Sequence, residues 1–334
     1  GQSTFLLFYK LEYQERAVIL TKNLTKKYGD FTAVEDLSLS IQKGEIYGFL
    51  GPNGAGKTTT IMMLLGISRP TYGEIYLMGE RYIPDRLDLR KRIGVVPEKH
   101  PFGVWRWMTG YEYLKFFADL FEIKQSKEKI LDMLKRVDLY NVRNKRISGF
   151  SRGMLQKLSI VRALLPNPDI LFLDEPISGL DPIGIKQVRD LILSENREGR
   201  SIFISSHLLS EVEKICQRVA IIFQGKLTVE DTMSNILTQF SREREIDIDL
   251  EHVPDELVTD VKNLDFVVDA SKTGDTLAVK VKKEGDFKKQ LSEFVIKKNF
   301  IPLRINEKTA SLEEAFVTLT KDNLELFTGR GGKK

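Results

Sequence analysis

Cysteine is nearly missing from this chain: one thiol, Cys216, stands in 334 residues, so no intrachain disulfide can form. That fits a reducing compartment. Cys216 ends the stretch LLSEVEKIC, where Leu208, Val212 and Ile215 recur at helical spacing, and it is expected to pack rather than react. Long apolar runs are missing too. None approaches the ~18–20 residues that a helix needs to span a bilayer, so the chain is not expected to cross one. A charge excess of either sign is also lacking, because 51 Lys and Arg meet 47 Asp and Glu, a net of +4. So small a balance gives no electrostatic case for nucleic acid, and it would not oppose contact with anionic lipid. Internal repeats and low-complexity segments are not found. What is present is an ordinary globular composition, 42% hydrophobic and 29% charged. The length exceeds what one core supports, so a large domain with a smaller one appended is expected.

The N-terminal FLLFY is too short for the core of a secretory signal, and the sequence starts at Gly1. Residues 1–16 are set aside as a tail or processing remnant. From Ala17, short β-rich runs (VILTKNL, EIYGFL, EIYLM, IGVV, ILFLD, SIFIS, VAIIF) alternate with helical stretches, the pattern of an α/β domain on a largely parallel sheet. Residues 100–150 read as a helical insert, GYEYLKFFADLF and KEKILDMLKRVDL, with apolar residues three and four apart. This larger domain is expected over 17–234. Over 235–326 the texture changes to a βαββαβ order, which predicts a small α+β domain of the ferredoxin-like type, closed by the helix SLEEAFVTLT. The tail 327–334 is expected to be unstructured.

Function enters with GPNGAGKTT. Gly51, Pro52, Asn53, Gly54, Ala55, Gly56, Lys57 and Thr58 fill the P-loop pattern between a strand and a helix, with Thr59 following as a further candidate for the nucleotide. Glycines let successive N–H groups turn toward phosphates at a helix N-terminus, where unpaired donors and the macrodipole favour negative charge. Lys57 is expected to reach the β and γ phosphates and the Thr58 hydroxyl to ligate Mg²⁺. Farther on, in ILFLDEP, an apolar strand ends in two acids, Asp174 and Glu175. There Asp174 can stand near Mg²⁺ while Glu175 projects toward the γ-phosphate and polarises water.

Between these motifs runs ISGFSRGMLQKLSIVRALLPNPDILFLDEP, and here the sequence resembles the ATP-binding subunits of ABC transporters. Their fold is a P-loop NTPase with a RecA-like core, an antiparallel β subdomain and a helical subdomain. Phe150 to Met154 stand in the place of the family's signature, and the resemblance gives Ser151 and the Gly153 amide to a phosphate. SGLDP, containing Asp181, matches the D-loop, and SSH matches the switch histidine, His207. Tyr28 stands where the family stacks an aromatic on adenine. Six motifs in order cover about Ala17 to Asp231.

Two departures stand out. Glu98, in IGVVPEKHP, replaces the usual glutamine of the Q-loop; it cannot donate hydrogen bonds when ionised but can still ligate metal. Arg152 replaces the first signature glycine. The export-type, multidrug and antibiotic-resistance subfamily often carries Pro-Glu at the first of these places.

The resemblance implies ATP and Mg²⁺ as cofactors, ATP hydrolysis by Glu175, His207 and Lys57, and Thr58, Asp174 and Glu98 around the metal. It also implies two partners: a second ATPase subunit, identical or not, and a separate transmembrane permease, which places the chain on the cytoplasmic face of the membrane. Trp105, Trp107, Tyr111 and Phe116 lie where the family receives its permease, and exposed aromatics there would mark a docking surface. Two alternatives share the site chemistry: a soluble ABC-type ATPase acting on ribosomes or nucleic acid, and a regulatory module that binds ATP without hydrolysing it.

Overall fold

The computed structural model describes residues 17–83, 85–99, 102–240, 244–282, 285–308 and 311–319. The expected tails 1–16 and 327–334 lie outside the described residues. Within the chain, two compact units divide between Thr232 and Met233.

The first unit opens with an antiparallel sheet. Strand β1 (Ala17–Tyr28) pairs with β2 (Phe31–Leu37) on one side and, at its start, with β3 (Ser40–Gln42). The chain then leaves through β4 (Ile46–Leu50) and returns as β5 (Tyr72–Leu77) and β6 (Glu80–Arg81), β5 lying along the other side of β1. Of these, β2, β3 and β6 had no counterpart among the expected strands. Their sequences, such as FTAVEDL, break the apolar alternation with acids that the structure leaves at the surface.

The second sheet carries the site. It takes β4, β7 (Ile93–Val96), β8 (Ile170–Asp174), β9 (Ser201–Ser205), β10 (Arg218–Phe223) and β11 (Lys226–Thr232), in the order β11-β10-β4-β9-β8-β7. Five neighbours from β10 to β7 run parallel, and β11 folds back antiparallel on β10. All five residues of β4 and of β9 are buried, as expected of strands covered on both faces. Phe203 is the hub of the core, with ring centroids 5.3 Å from Phe172, 5.4 Å from Phe49 and 5.9 Å from Tyr47. Cys216 is buried here: a Cβ on Gly48 would lie 3.2 Å from its Sγ, so the thiol packs against bare backbone.

The insert is helical, Gly110–Leu120 and Ser126–Arg136. A capping box fixes its start, with the Thr109 amide donating to Glu112 Oε2 at 2.8 Å and the Glu112 amide to Thr109 Oγ1 at 3.2 Å. Arg162, on the helix Arg152–Leu164, ties the insert to the sheet: Nη2 donates to the Val95 carbonyl at 2.9 Å and Nη1 to the Tyr113 hydroxyl at 3.3 Å.

In the second unit, the helix Met233–Phe240 precedes β12 (Arg244–Asp249), β13 (Val267–Thr273), β14 (Thr276–Val281) and β15 (Arg304–Lys308). The sheet order is β13-β14-β12-β15, antiparallel throughout. Helices Asp255–Lys262 and Phe287–Lys297 cross between strands and bury Leu257, Val261, Leu291 and Val295 against Ile246, Ile248, Leu277 and Val279. Two βαβ excursions from one antiparallel sheet give the order βαββαβ. A last helix, 312–319, is capped by Ser311, whose Oγ accepts from the Glu314 amide at 3.2 Å.

Candidate active site

Four stretches singled out in the sequence leave the carboxyl ends of four neighbouring parallel strands: the P-loop after β4, Glu175 after β8, Ser206 and His207 after β9, and Glu98 beyond β7. In open α/β sheets that edge is where ligands bind.

The P-loop is shaped by contacts that forbid side chains. A Cβ on Gly51 would meet the Ile222 carbonyl oxygen at 2.4 Å, and one on Gly56 the Ala33 oxygen at 2.6 Å. Gly56 is also left-handed, φ +105°, and caps the helix Lys57–Leu64 without any side-chain hydrogen bond. No acidic residue stands in that first turn, so its amides keep their donors for an anion. Lys57 bends back over the loop, Nζ donating to the carbonyls of Gly51 at 2.6 Å and Pro52 at 3.1 Å. Burial pulls the Lys57 ammonium below its usual range, and the charges of Glu175, Asp174 and Glu98 oppose that shift. The exposed Thr58 hydroxyl follows on the same turn.

Asp174 closes β8, held by a hydrogen bond from the Ser205 hydroxyl, its register partner on β9. Burial raises its carboxyl above the ordinary carboxylate range, the Ser205 bond opposes this, and the charges of Glu98 and Glu175 add to it. Glu175 adopts a left-handed backbone, φ +51°, which a non-glycine residue enters at a cost of roughly 1 kcal/mol or more. Its amide donates to the Ser205 carbonyl at 3.0 Å. Its Oε2 faces His207 Nδ1 at 2.8 Å and sits 3.4 Å from Ser206 Oγ. Neither serine was singled out for the site, although both belong to SSH. What would have pointed to Ser205 is the pairing of β8 with β9, and a linear sequence does not print it.

The hairpin carrying Tyr28 lies beside the P-loop. Tyr28 pairs with Phe31 at its tip, is half exposed, and has the Lys26 ammonium 5.0 Å from its ring centroid. Lower in the hairpin, Ala33 lies against Gly56, and the Glu35 amide donates to Gly225, whose own amide donates to Ala55. An accessible aromatic face near the phosphate loop suits a flat base.

The signature stretch is built but stands apart. Ser151 caps the helix Arg152–Leu164 by accepting from the Met154 amide at 3.3 Å, and a Cβ on Gly153 would meet open space. Among the described residues, neither shares a hydrogen bond with the P-loop or the acidic pair. The Asp181 side chain is engaged otherwise: Oδ1 accepts from the Gly184 amide at 3.0 Å and caps the helix Pro182–Arg197. Of the aromatics in the insert, Trp107 is 64% exposed and Phe116 40%, whereas Trp105 packs its ring 4.9 Å from that of Phe116 and Tyr111 is partly covered.

These residues fit ATP and Mg²⁺. Among the described residues no three acidic, histidine or cysteine side chains gather into a ready metal cage, so an ion here would be shared between phosphates and separate protein oxygens.

The description "ABC transporter" matches residues 34–178 of this chain. The bacitracin transport ATP-binding protein BcrA of Bacillus licheniformis is 46% identical over 214 residues, covering 64% of this chain and 69% of that protein. The ABC transporter ATP-binding protein YhcH of Bacillus subtilis is 33% identical over 311 residues, 93% of this chain and 98% of its own, and so reaches past the nucleotide-binding unit. A solved ATP-binding subunit of an ABC transporter superposes with a TM-score of 0.61 at 28% identity, over 67% of this chain and 93% of that one. Likeness of this extent, on a fold that gathers the phosphate loop, acidic pair and histidine on one sheet edge, makes the chain a member of the ABC transporter ATP-binding subunits, ATPases coupled to transport.

Proposed function

We propose that this chain drives a membrane exporter of the peptide-antibiotic class from the cytoplasmic face of the membrane, as one of two ATPase subunits beside a separate permease. The cargo class is that named for BcrA, carried over as a proposal. The observation that carries the hydrolytic reading is the contact of Glu175 Oε2 with His207 Nδ1, 2.8 Å, next to the serine-held Asp174.

In this reading Lys57 gives up its loop carbonyls for the β and γ phosphates, and the amides of Gly54 and of Gly56 to Thr59 cradle them, the Ala55 amide being bound to the Pro52 carbonyl. Thr58, Asp174 and Glu98 hold Mg²⁺, which when bound neutralises charge on the transferring phosphoryl group. Glu175 orients and polarises the attacking water; His207 fixes the carboxylate and senses the γ-phosphate. Tyr28 stacks on the base. Ser151 and Gly153 complete the site of the second subunit, and Asp181 sets the loop at the interface by capping its helix. Residues 17–234 serve as the ATPase domain and 235–326 as an accessory domain.

Exposed Val104, Trp107, Leu120 and Phe121 on the insert are the surface offered to the permease. Phe116 flanks them, and Trp105 packs its ring 4.9 Å from that of Phe116. No helix among the described residues is long and apolar enough to cross a membrane, which suits a subunit attached from outside the bilayer.

Glu175→Gln tests the reading. Phosphate release should fall by about 10²-fold or more while ATP binding persists and ATP drives a dimer visible by gel filtration. Normal turnover by that variant would overturn the assignment.

A further inference from the structure

Arg152, the residue that replaces a signature glycine, has a defined seat. A Cβ built on Gly179 would stand 2.2 Å from Nη1 and 2.3 Å from Cζ of Arg152, so the guanidinium fills the space this glycine leaves. Gly179 is left-handed as well, φ +67°. Among the described residues the Arg152 side chain has neither an ion pair nor a hydrogen bond. Its charge stands at the first position of a helix, the end that disfavours cations, and no acid balances it in that turn. Shape, not charge, therefore holds the guanidinium on this loop.

We propose that the fit couples the two ATP sites of a dimer, with Arg152 linking the signature stretch to the loop that follows Glu175 in the same chain. The inference rests on the dimeric reading above. Ser151 and Gly153 face the partner's nucleotide, while Glu175 serves the chain's own. The loop between them is short and tied: the Ser178 amide donates to the Glu175 carbonyl at 3.2 Å, which leaves Gly179 one residue beyond that turn. When nucleotide at the partner's site draws the signature helix in, the seated guanidinium must carry Gly179 with it or lose its packing. The left-handed Glu175 at the head of the loop turns with it. Occupancy of one site thus sets the carboxylate of the other. Lysine replaces the arginine only in part, because the seat receives a flat fork and an ammonium is compact.

The test uses the full chain and four variants: R152G, R152K, G179A and R152G/G179A. Wild type should hydrolyse ATP with a Hill coefficient approaching the number of sites, and R152G and G179A should each lower it to about one. The double variant should be no worse than the poorer single, since both remove the same contact, and R152K should fall between. A folding defect would reduce the active fraction and leave the Hill coefficient where it was. ATP-driven dimerisation is followed in parallel on the Glu175→Gln background. A dimer that forms while R152G stays as cooperative as wild type, or a wild type with no cooperativity, overturns the coupling alone. Failure to dimerise on ATP overturns the dimeric reading and the coupling with it.

Discussion

His207 Nδ1 stands 2.8 Å from Glu175 Oε2, although 32 residues separate them in the chain. The contact exists because β8 and β9 are parallel neighbours whose ends lie in register, Asp174 beside Ser205. Removing the ring should leave the carboxylate in place but unfixed. His207→Ala is expected to lower kcat by about 10²-fold or more with little change in the KM for ATP, as initial-rate measurements of phosphate release would show. A change confined to KM would mean that the ring only helps to bind nucleotide.

Gly51→Ala should damage both fold and site. Its methyl would press on a backbone oxygen at 2.4 Å, which cannot swing away as a side-chain tip can. A loss of about 1–3 kcal/mol in urea unfolding is expected, with ATP affinity reduced in the fraction that remains folded. Ala at Gly54, where a Cβ meets no atom, carries only the cost of its left-handed backbone, φ +80°.

Asp174→Asn should stabilise the nucleotide-free chain while ending turnover. Burial raises the Asp174 carboxyl above its ordinary value, so the native state holds that proton more tightly than the unfolded chain does. The stability from this group is fully present below the unfolded pKa and is lost as pH rises through the raised value. At neutral pH the ionised carboxylate is therefore a burden that asparagine lifts. Thermal unfolding at pH 7 should show a higher midpoint for the variant, and the gap should close toward acid pH.

Glu98→Gln should extend activity to lower pH. The Glu98 charge helps to raise the Asp174 carboxyl, so removing it lets that group stay ionised further into the acid range. The acid limb of the kcat/KM profile should move to lower pH. An unmoved limb would show that Asp174 does not govern it.

Glu195→Ala should be costly far from the nucleotide. Glu195 is 1% exposed and bonds Arg136 at 2.7 Å and Arg200 at 2.6 Å, joining the insert to the helix that follows the Asp181 loop. Deleting it leaves Arg136 and Arg200 with Glu198 as a remaining acidic partner, and a loss of about 1–3 kcal/mol is expected in denaturant unfolding.

Much was legible in the sequence. GPNGAGKT is a contiguous motif whose backbone chemistry is local, so eight consecutive residues were enough to place a glycine-rich loop between strand and helix. The helical period of the insert and the βαββαβ order after Thr232 also lie along the chain, where spacing alone reports them. β2 and β11 were not legible, because their acids and threonines are at home in a surface sheet only once a partner strand supplies the other half of the pattern.

Through short-range chemistry alone, the order of residues settled the glycine turn before the helix at Lys57, the acidic end of the strand Ile170–Asp174 and the helical period of the insert. Only tertiary structure decided that Ser205 would hold Asp174, that Asp181 would spend its carboxylate on a helix cap, and that Arg152 would seat itself on Gly179. Each of those depends on which strands and loops become neighbours, and that is fixed by sheet register and by the burial of Phe49, Phe172 and Phe203 in a common core, interactions among residues far apart in the chain.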